Sequence, residues 1–133
     1  MASIFSKIIC GEIPCYKVAE NAKFLALLDI NALAVGHTLV IPKKETDYIF
    51  DLSDDELSEF IVFAKKVAVV LKKHVPCLKV GVSVIGLEVA HAHIHLIPIN
   101  QVSDMNFSAP RIPVDKNLFE ALSISIYNDF VKD

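Results

Sequence analysis

The chain is poor in arginine and has no excess of positive charge. It contains one arginine, Arg111, and its 133 residues carry a formal net charge of −3. Nucleic-acid-binding domains usually present a dense cluster of lysine and arginine on one face. We therefore expect no nucleic-acid partner for this protein.

The sequence also lacks any apolar run of the ~18 residues that span a membrane, although 53% of its residues are hydrophobic. Its first residues do not show the basic and then apolar pattern of a secretion signal. The three cysteines, Cys10, Cys15 and Cys77, are odd in number and lack the paired spacing of a metal site. These absences predict free thiols, a cytoplasmic location and no association with a membrane.

Glycine is scarce as well. None of the four glycines belongs to a glycine-rich phosphate-binding loop. The sequence has no internal repeat, no low-complexity tract and no linker-like stretch. A chain of 133 residues can bury one real hydrophobic core, so we predict a single domain over residues 1–133, with a less clearly patterned C-terminal part at 100–133.

The pattern of apolar residues predicts five strands, at 16–19, 24–29, 38–41, 80–85 and 91–98. Three helices are predicted at 3–10, 54–74 and 117–130. Because short turns join most of the strands, we expect an α+β domain with an antiparallel sheet. Residues 100–114 contain two prolines and are predicted to form a loop.

The predicted helix 54–74 begins with a capping box formed by Ser53 and Glu56. Apolar residues then follow at three-and-four spacing and form one buried stripe: Leu57, Phe60, Ile61, Ala64, Ala68 and Leu71. A second apolar set falls outside this stripe: Val62, Phe63, Val69 and Val70. Two apolar faces on one helix of a small domain predict a homodimer, with strand 80–85 adding to the interface.

The most informative segment is residues 91–97, where three of the five histidines occur at every second position. A period of two is the strand period, so His91, His93 and His95 are predicted to point to one face of a strand. One such histidine is usually an ordinary packed or surface residue. Three in strict alternation favour a functional row.

Two chemistries are open for this row. On a straight strand with a rise of about 3.3 Å per residue, the outer rings lie roughly 13 Å apart, too far to share a zinc ion that needs nitrogens at about 2 Å. His91 and His93 could still bind a metal with a third ligand from elsewhere. Phosphoryl transfer suits the row better, because one imidazole can attack while its neighbours donate hydrogen bonds to phosphate oxygens.

Residues 91–97, His-Ala-His-Ile-His-Leu-Ile, match a signature of three histidines separated by apolar residues, and the sequence resembles the histidine triad (HIT) superfamily of nucleotide hydrolases and transferases. Segments at 4–9, 11–14, 28–30 and 36–43 are similar to the Hint branch of that family and occur in its order. The resemblance covers roughly residues 3–99. It implies the HIT fold, a five-stranded antiparallel sheet with one long helix and a C-terminal helix, which pairs into a dimer.

The resemblance also implies an activity at the α-phosphorus of purine nucleoside monophosphate derivatives, such as phosphoramidates and adenylates of adenosine or guanosine. His93 would attack phosphorus and form a covalent nucleotidyl-histidine, and His91 would orient His93. His95 and His37 would contact the phosphate oxygens. No cofactor and no metal are expected, and residues 100–114 would form a flap near the site.

The nucleotide-binding residues are also assigned by the resemblance. Asp29 would accept hydrogen bonds from the two ribose hydroxyls, although its sequence context is equally typical of an Asx-turn. The walls of the base and ribose pocket would be apolar: Leu27, Ile30, Ile4, Phe5, Ile8 and Ile13.

The sequence departs from the family just before the histidines. Many HIT proteins have Gly-Gln-Ser/Thr-Val there, whereas this chain has Gly-Leu-Glu-Val at 86–89. Leu87 has no amide side chain, so backbone N–H groups are predicted to make more of the phosphate contact. Glu88 is either a solvated turn residue or a group that faces the leaving group, where it would favour an amine over a polyphosphate and could act as a general acid.

Two other classes of function remain open at the level of sequence. One is a metal-dependent enzyme or metal-binding module that uses His91 and His93. The other is a regulator that binds a nucleotide without turning it over.

Overall fold

The computed structural model describes residues 2–132 and contains a five-stranded antiparallel sheet with helices packed on it, so the predicted α+β class is confirmed. In chain order the elements are α1 (Ile4–Ile9), β1 (Lys17–Glu20), β2 (Phe24–Leu28), β3 (Thr38–Pro42), α2 (Asp54–His74), β4 (Lys79–Ser83), β5 (Ile94–Ile99) and α3 (Lys116–Lys132). Short 3-10 turns occur at Ile49–Asp51 and Val102–Met105. Met1 and Asp133, the ends of the predicted domain, lie outside the described residues.

The strand order is β1-β2-β3-β5-β4, and neighbouring strands are antiparallel throughout. Short loops connect β1, β2 and β3, whereas α2 carries the chain from β3 to the far edge of the sheet at β4. β5 then enters between β3 and β4, where His95 lies opposite Leu39 on one side and Ser83 on the other. The histidine segment therefore leads into the interior of the sheet.

Alternating side chains on the central strands separate two apolar clusters. Ala26 of β2 belongs to the larger cluster, under α2 and α3, whereas its neighbour Leu27 packs with Phe5 of α1. Ile94 of β5 also belongs to the larger cluster. Because side chains alternate along a strand, His95 faces the opposite, α1 side of the sheet.

Helix α2 has the predicted bounds and the predicted capping box. The predicted buried stripe is wrong in part, because Ile61 is 48% exposed while Phe63 and Val70 are buried. Phe63 packs against Phe130 of α3, with ring centres 5.7 Å apart. Helix α3 thus covers part of the α2 face that was predicted to contact a second copy of the chain.

The other elements differ from their predicted bounds by one or two residues at either end, except for β5, which is described with the site. The three cysteines are free thiols, as predicted. Among the helices of residues 2–132, none has the length and apolar character needed to cross a membrane. The cytoplasmic location stays a prediction.

Candidate functional site

A cavity of about 460 Å³ opens on the α1 side of the sheet. Apart from His91, the predicted site residues all line it: Ile4, Phe5, Ile8, Ile13, Leu27, Asp29, Ile30, His37, Leu87, Glu88, His93 and His95. They come from α1, from the ends of β2 and β3, and from the segment before β5. The fold thus brings together residues that lie up to 91 positions apart in the sequence.

The predicted strand 91–98 is wrong at its start, because β5 begins only at Ile94. Its ladder with β3 ends where Ile94 lies opposite Val40, and the next residues of β3 lead to Pro42, which has no N–H to donate. The N–H of Ala92 instead donates to the carbonyl oxygen of Thr46, at 2.7 Å. The strand period therefore does not extend to His91, and the three imidazoles do not form one row.

His93 presents an unprotonated nitrogen. Its Nδ1 lies 2.8 Å from the backbone carbonyl oxygen of His91, which can only accept, so Nδ1 carries the proton. In the neutral ring, Nε2 then keeps its lone pair. The edge of the Phe5 ring packs against this imidazole at 5.0 Å between centres. The tautomer and orientation of His93 are thus fixed by the backbone of His91 and not by its side chain.

His37 and His95 form a hydrogen-bonded pair with a defined direction. The N–H of Leu33 donates to His37 Nδ1 at 3.0 Å, so His37 carries its proton on Nε2. That Nε2–H donates to His95 Nδ1 at 2.9 Å, which leaves the proton of His95 on its own Nε2. His95 therefore offers a donor at the cavity wall, and its ring centre lies 4.9 Å from that of His93.

These two histidines are uncharged near neutral pH. The pKa of His37 is lowered to about 4, mainly by burial and to a smaller extent by the charges of Arg111 and His93. The pKa of His95 is likewise lowered to about 4, mainly by burial and to a smaller extent by His37 and His93. Although Asp29 Oδ2 lies 3.5 Å from His37 Nε2, the two do not form an ion pair when His37 is neutral.

His91 is buried beneath the cavity. Its Nε2–H donates to the carbonyl oxygen of Pro42 at 2.7 Å, and its Nδ1 accepts from the hydroxyl of Ser3, the N-cap of α1, at 2.8 Å. Glu45 accepts from the Ser3 N–H and the Ser6 hydroxyl, both at 2.7 Å. The hydrogen bond from Ser6 is the main cause that lowers the pKa of Glu45 to about 2. This network attaches α1, one wall of the cavity, to the histidine segment.

The part of the cavity next to α1 is apolar, with Phe5 and Leu27 buried and Ile30 exposed at its rim. Asp29 lies at the edge of this apolar part. Its Oδ1 accepts from the N–H of Asn31 at 2.8 Å, which is the predicted Asx-turn. Its second carboxylate oxygen remains close to His37, at the side of the cavity where the histidines lie.

One set of potential metal ligands comes together among residues 2–132. The ligand atoms of Asp29, His37 and His95 lie within 4.8 Å of one another. The lone pair of His37 Nδ1 already accepts from Leu33, and that of His95 Nδ1 accepts from His37. The structure does not assemble a metal pair of His91 and His93, the alternative that the sequence left open, because both ring nitrogens of His91 are engaged elsewhere.

Phe107 and Arg111 also line the cavity, although no sequence pattern predicted them as site residues. They lie in the loop 100–114, which was expected near the site without any assigned residue. The Phe107 ring packs edge-on against His95, at 4.9 Å between centres. The presence of only one arginine in the chain was the available signal, and it was used only to exclude nucleic-acid binding.

Comparison with known proteins identifies the family. A model of the HIT domain matches residues 10–102 of this chain. A HIT-like protein of Methanocaldococcus jannaschii is 46% identical over 99 residues, which cover 71% of this chain and 77% of that protein. The adenosine 5'-monophosphoramidase of Schizosaccharomyces pombe is 34% identical over 128 residues, covering 95% of this chain and 96% of its own.

Comparison with solved structures leads to the same family. The crystal structure of a Hit-like protein from Bartonella henselae, described as involved in cell-cycle regulation, has a TM-score of 0.81 and 30% identity, and the match covers 95% of this chain and 94% of that one. The chain belongs to the HIT family. The resemblance inferred from the histidine signature is therefore confirmed.

Proposed function

We propose that this protein is a HIT-family hydrolase that cleaves purine nucleoside monophosphate derivatives, above all phosphoramidates and adenylates, between the α-phosphorus and the leaving group. The observation that carries the proposal is the pair of His93 and His95 at the wall of one cavity. The first offers a lone pair on Nε2, and the second offers an N–H donor beside it. The name of the nearly full-length S. pombe relative supports the same class of substrate.

The reaction has two displacements at phosphorus. In the first, the lone pair of His93 Nε2 forms a P–N bond, and the bond to the leaving group breaks with its electron pair on the departing nitrogen or oxygen, which takes up a proton from solvent. In the second, water attacks the same phosphorus, the P–N bond breaks, and the nucleoside monophosphate departs. One proton of the water passes to solvent, and His93 returns to its starting state.

The other residues have supporting roles in this proposal. His95 donates from Nε2 to a non-bridging phosphate oxygen, where charge accumulates in the transition state. His37 acts through His95 by holding that tautomer, in place of the direct phosphate contact expected from the sequence. Asp29 accepts from the ribose hydroxyls, and the base occupies the apolar part of the cavity: Ile4, Phe5, Ile8, Ile13, Leu27 and Ile30.

The direct test is to incubate the protein with adenosine 5'-phosphoramidate and to follow AMP by chromatography, with and without exhaustive treatment with EDTA. We expect AMP to be released in both arms, because the lone pair of His93 must remain uncoordinated to attack phosphorus. Binding of AMP without any turnover would favour a nucleotide-binding regulator. Turnover that EDTA abolishes and zinc restores would favour a metal-dependent enzyme.

We propose that Glu88 helps to select the leaving group. It lines the main cavity and also an adjoining depression. That depression is lined by Ala2, Ser3, Ile4, Glu45, Glu88, Val89 and Ala90, which include two carboxylates and no basic side chain. A leaving group that extends into this depression meets negative charge, so we infer that an amine or lysyl group is favoured and a polyphosphate is disfavoured.

We predict that Glu88→Ser reduces the preference for phosphoramidates and lysyl-adenylate over diadenosine polyphosphates. Removing one exposed carboxylate should change the ratio of the two kcat/KM values by roughly twofold to fivefold, since a screened charge at a rim contributes up to about 1 kcal/mol. The measurement is kcat/KM for both substrate classes. Glu12→Gln, which removes an exposed carboxylate from outside both sites, is the matched control. An unchanged ratio in Glu88→Ser would mean that the carboxylate has no part in selecting the leaving group.

We also propose that two copies of the chain form a homodimer. Ile61, Val62 and Val69 of α2 remain about half exposed, and Val82 of the edge strand β4 is 55% exposed. The outer side of β4 has no neighbouring strand within residues 2–132. An apolar helix surface beside an open sheet edge is typical of a surface that another copy covers.

Sedimentation velocity tests this proposal. We expect a dimer at micromolar concentration and a shift to monomer in Val82→Lys, because a lysine would be buried without a partner in the interface. Val102→Lys places the same charge on an apolar residue that is 91% exposed outside the sheet, and it should remain dimeric. A wild-type protein that sediments as a monomer at this concentration would contradict the proposal.

A further inference from the structure

We propose that Arg111 binds the phosphate of the nucleotide and is the permanent positive charge of this site. The inference rests on the proposed function, to which it adds a residue for the phosphate. It starts from the charges in the cavity wall. Among the described side chains that line the cavity, Arg111 is the one lysine or arginine, whereas Asp29 and Glu88 are acidic. Without Arg111, an anionic phosphate would face a wall of net negative charge.

The histidines do not supply this charge. Burial keeps the pKa values of His37 and His95 at about 4, so both rings are neutral near pH 7. His95 can donate one hydrogen bond to the phosphate but adds no positive charge. A guanidinium remains charged throughout the usual pH range and fits phosphate oxygens with parallel hydrogen bonds.

The guanidinium of Arg111 is held in place by its own loop. Its Nη1 donates to the backbone carbonyl oxygens of Phe107 at 3.0 Å and of Ala109 at 3.2 Å. It also lies 5.8 Å from the centre of the Phe107 ring, which in turn lies 4.9 Å from that of His95. Arg111 is therefore positioned close to the donor that the proposed function assigns to the phosphate.

Arg111 also has an unused donor. Its Nε–H is buried and has no hydrogen-bond acceptor within the described part of the chain. A buried donor on a charged group is unfavourable without an acceptor, and a phosphate oxygen would supply one. The family model matches residues 10–102. Arg111 therefore belongs to the C-terminal segment of this chain that the family model does not match.

The test compares AMP with adenosine, which differ by the phosphate, in titration calorimetry. We expect Arg111→Gln to weaken AMP binding about 10- to 100-fold and to leave adenosine binding within about twofold. Arg111→Lys keeps the charge and should recover part of the AMP affinity. Lys116→Gln removes a positive charge from an exposed residue at the start of α3 and should change neither ligand. Equal weakening of AMP and adenosine by Arg111→Gln, or an unchanged AMP affinity, would overturn the proposal.

A second measurement uses the wild-type protein and so does not depend on how the variants fold. Because the sequence contains a single arginine, its Nε–H gives one assignable signal in a ¹H–¹⁵N spectrum. AMP at saturation should shift this signal and slow its exchange with water, whereas adenosine should not. No response to AMP, or the same response to adenosine, would overturn the assignment.

The two proposals can fail separately. Response of the Arg111 signal to AMP in a protein that releases no AMP from the phosphoramidate would support the phosphate contact and count against the hydrolase. Normal turnover with an unresponsive Arg111 signal would count against Arg111 alone.

Discussion

His93→Ala is expected to lower kcat/KM for adenosine 5'-phosphoramidate by about 10⁴-fold or more, because the variant lacks the nitrogen that we propose forms the covalent bond to phosphorus. His95→Ala removes a donor to the phosphate and should lower the rate by roughly 10²- to 10³-fold. His74, whose Nε2 lies 2.9 Å from Asp129 of α3 and outside the cavity, provides the matched control. We expect His74→Ala to retain wild-type turnover.

A rapid-quench experiment examines the covalent step directly. The wild-type protein should accumulate an acid-labile nucleotidyl adduct on His93 during turnover, and His93→Ala should not. The adduct can be located by mass spectrometry after digestion under alkaline conditions. If His93→Ala hydrolyses the substrate at a rate near that of the wild type, His93 is not the nucleophile.

Gly36→Ala is expected to destabilise the protein by about 2–4 kcal/mol, the sum of an unfavourable backbone conformation and a steric clash. Gly36 has a φ of +90°, and it directly precedes His37. A Cβ added there would lie 2.9 Å from Val75 Cγ2 and 3.2 Å from Pro98 Cγ. The crowding arises because this turn packs between the end of α2 and the sheet.

The variant Gly11→Ala separates the cost of the backbone conformation from the cost of the steric clash. Gly11 has nearly the same φ, +87°, but a Cβ there would meet no atom within 4 Å. We expect the free energy of unfolding of Gly11→Ala to fall by only about 1 kcal/mol, because only the backbone conformation is unfavourable. The measurement is the free energy of unfolding in urea for both variants and the wild type. Equal losses in the two variants would show that the contacts around Gly36 relax without a penalty.

Local sequence patterns were sufficient to predict much of this structure. The capping box and the spacing of apolar residues determine α2, because the signals for its start and its buried side lie within the helix itself. The alternation along β2 likewise places Leu27 on the side of the sheet that carries His95. The sequence pattern therefore indicates why the apolar wall and the histidines lie on the same side of the sheet.

Other features depend on residues far apart in the chain. β5 starts at Ile94 because its pairing with β3 ends there, and the period-two pattern around His91 contains no information about the length of β3. The buried position of His91 depends on Ser3 and Pro42, 88 and 49 residues away. Phe63 is buried because α3 packs beside it, which the helical pattern of α2 alone could not indicate.

The wall of the cavity is formed by two parts of the chain that differ in how well they tolerate substitutions. His95 and Leu27 belong to strands of the core, where a substitution disturbs the sheet as well as the site. Phe107 and Arg111 belong to a loop whose end is tied to the connection between β2 and β3 by the Ile112 N–H and the Ala32 carbonyl oxygen, at 2.9 Å. Residues 106–110 can therefore vary while Arg111, that tie and the strands remain. Over evolutionary time such a loop would allow related proteins to acquire new substrates, while the histidines and the reaction proposed for them stay the same.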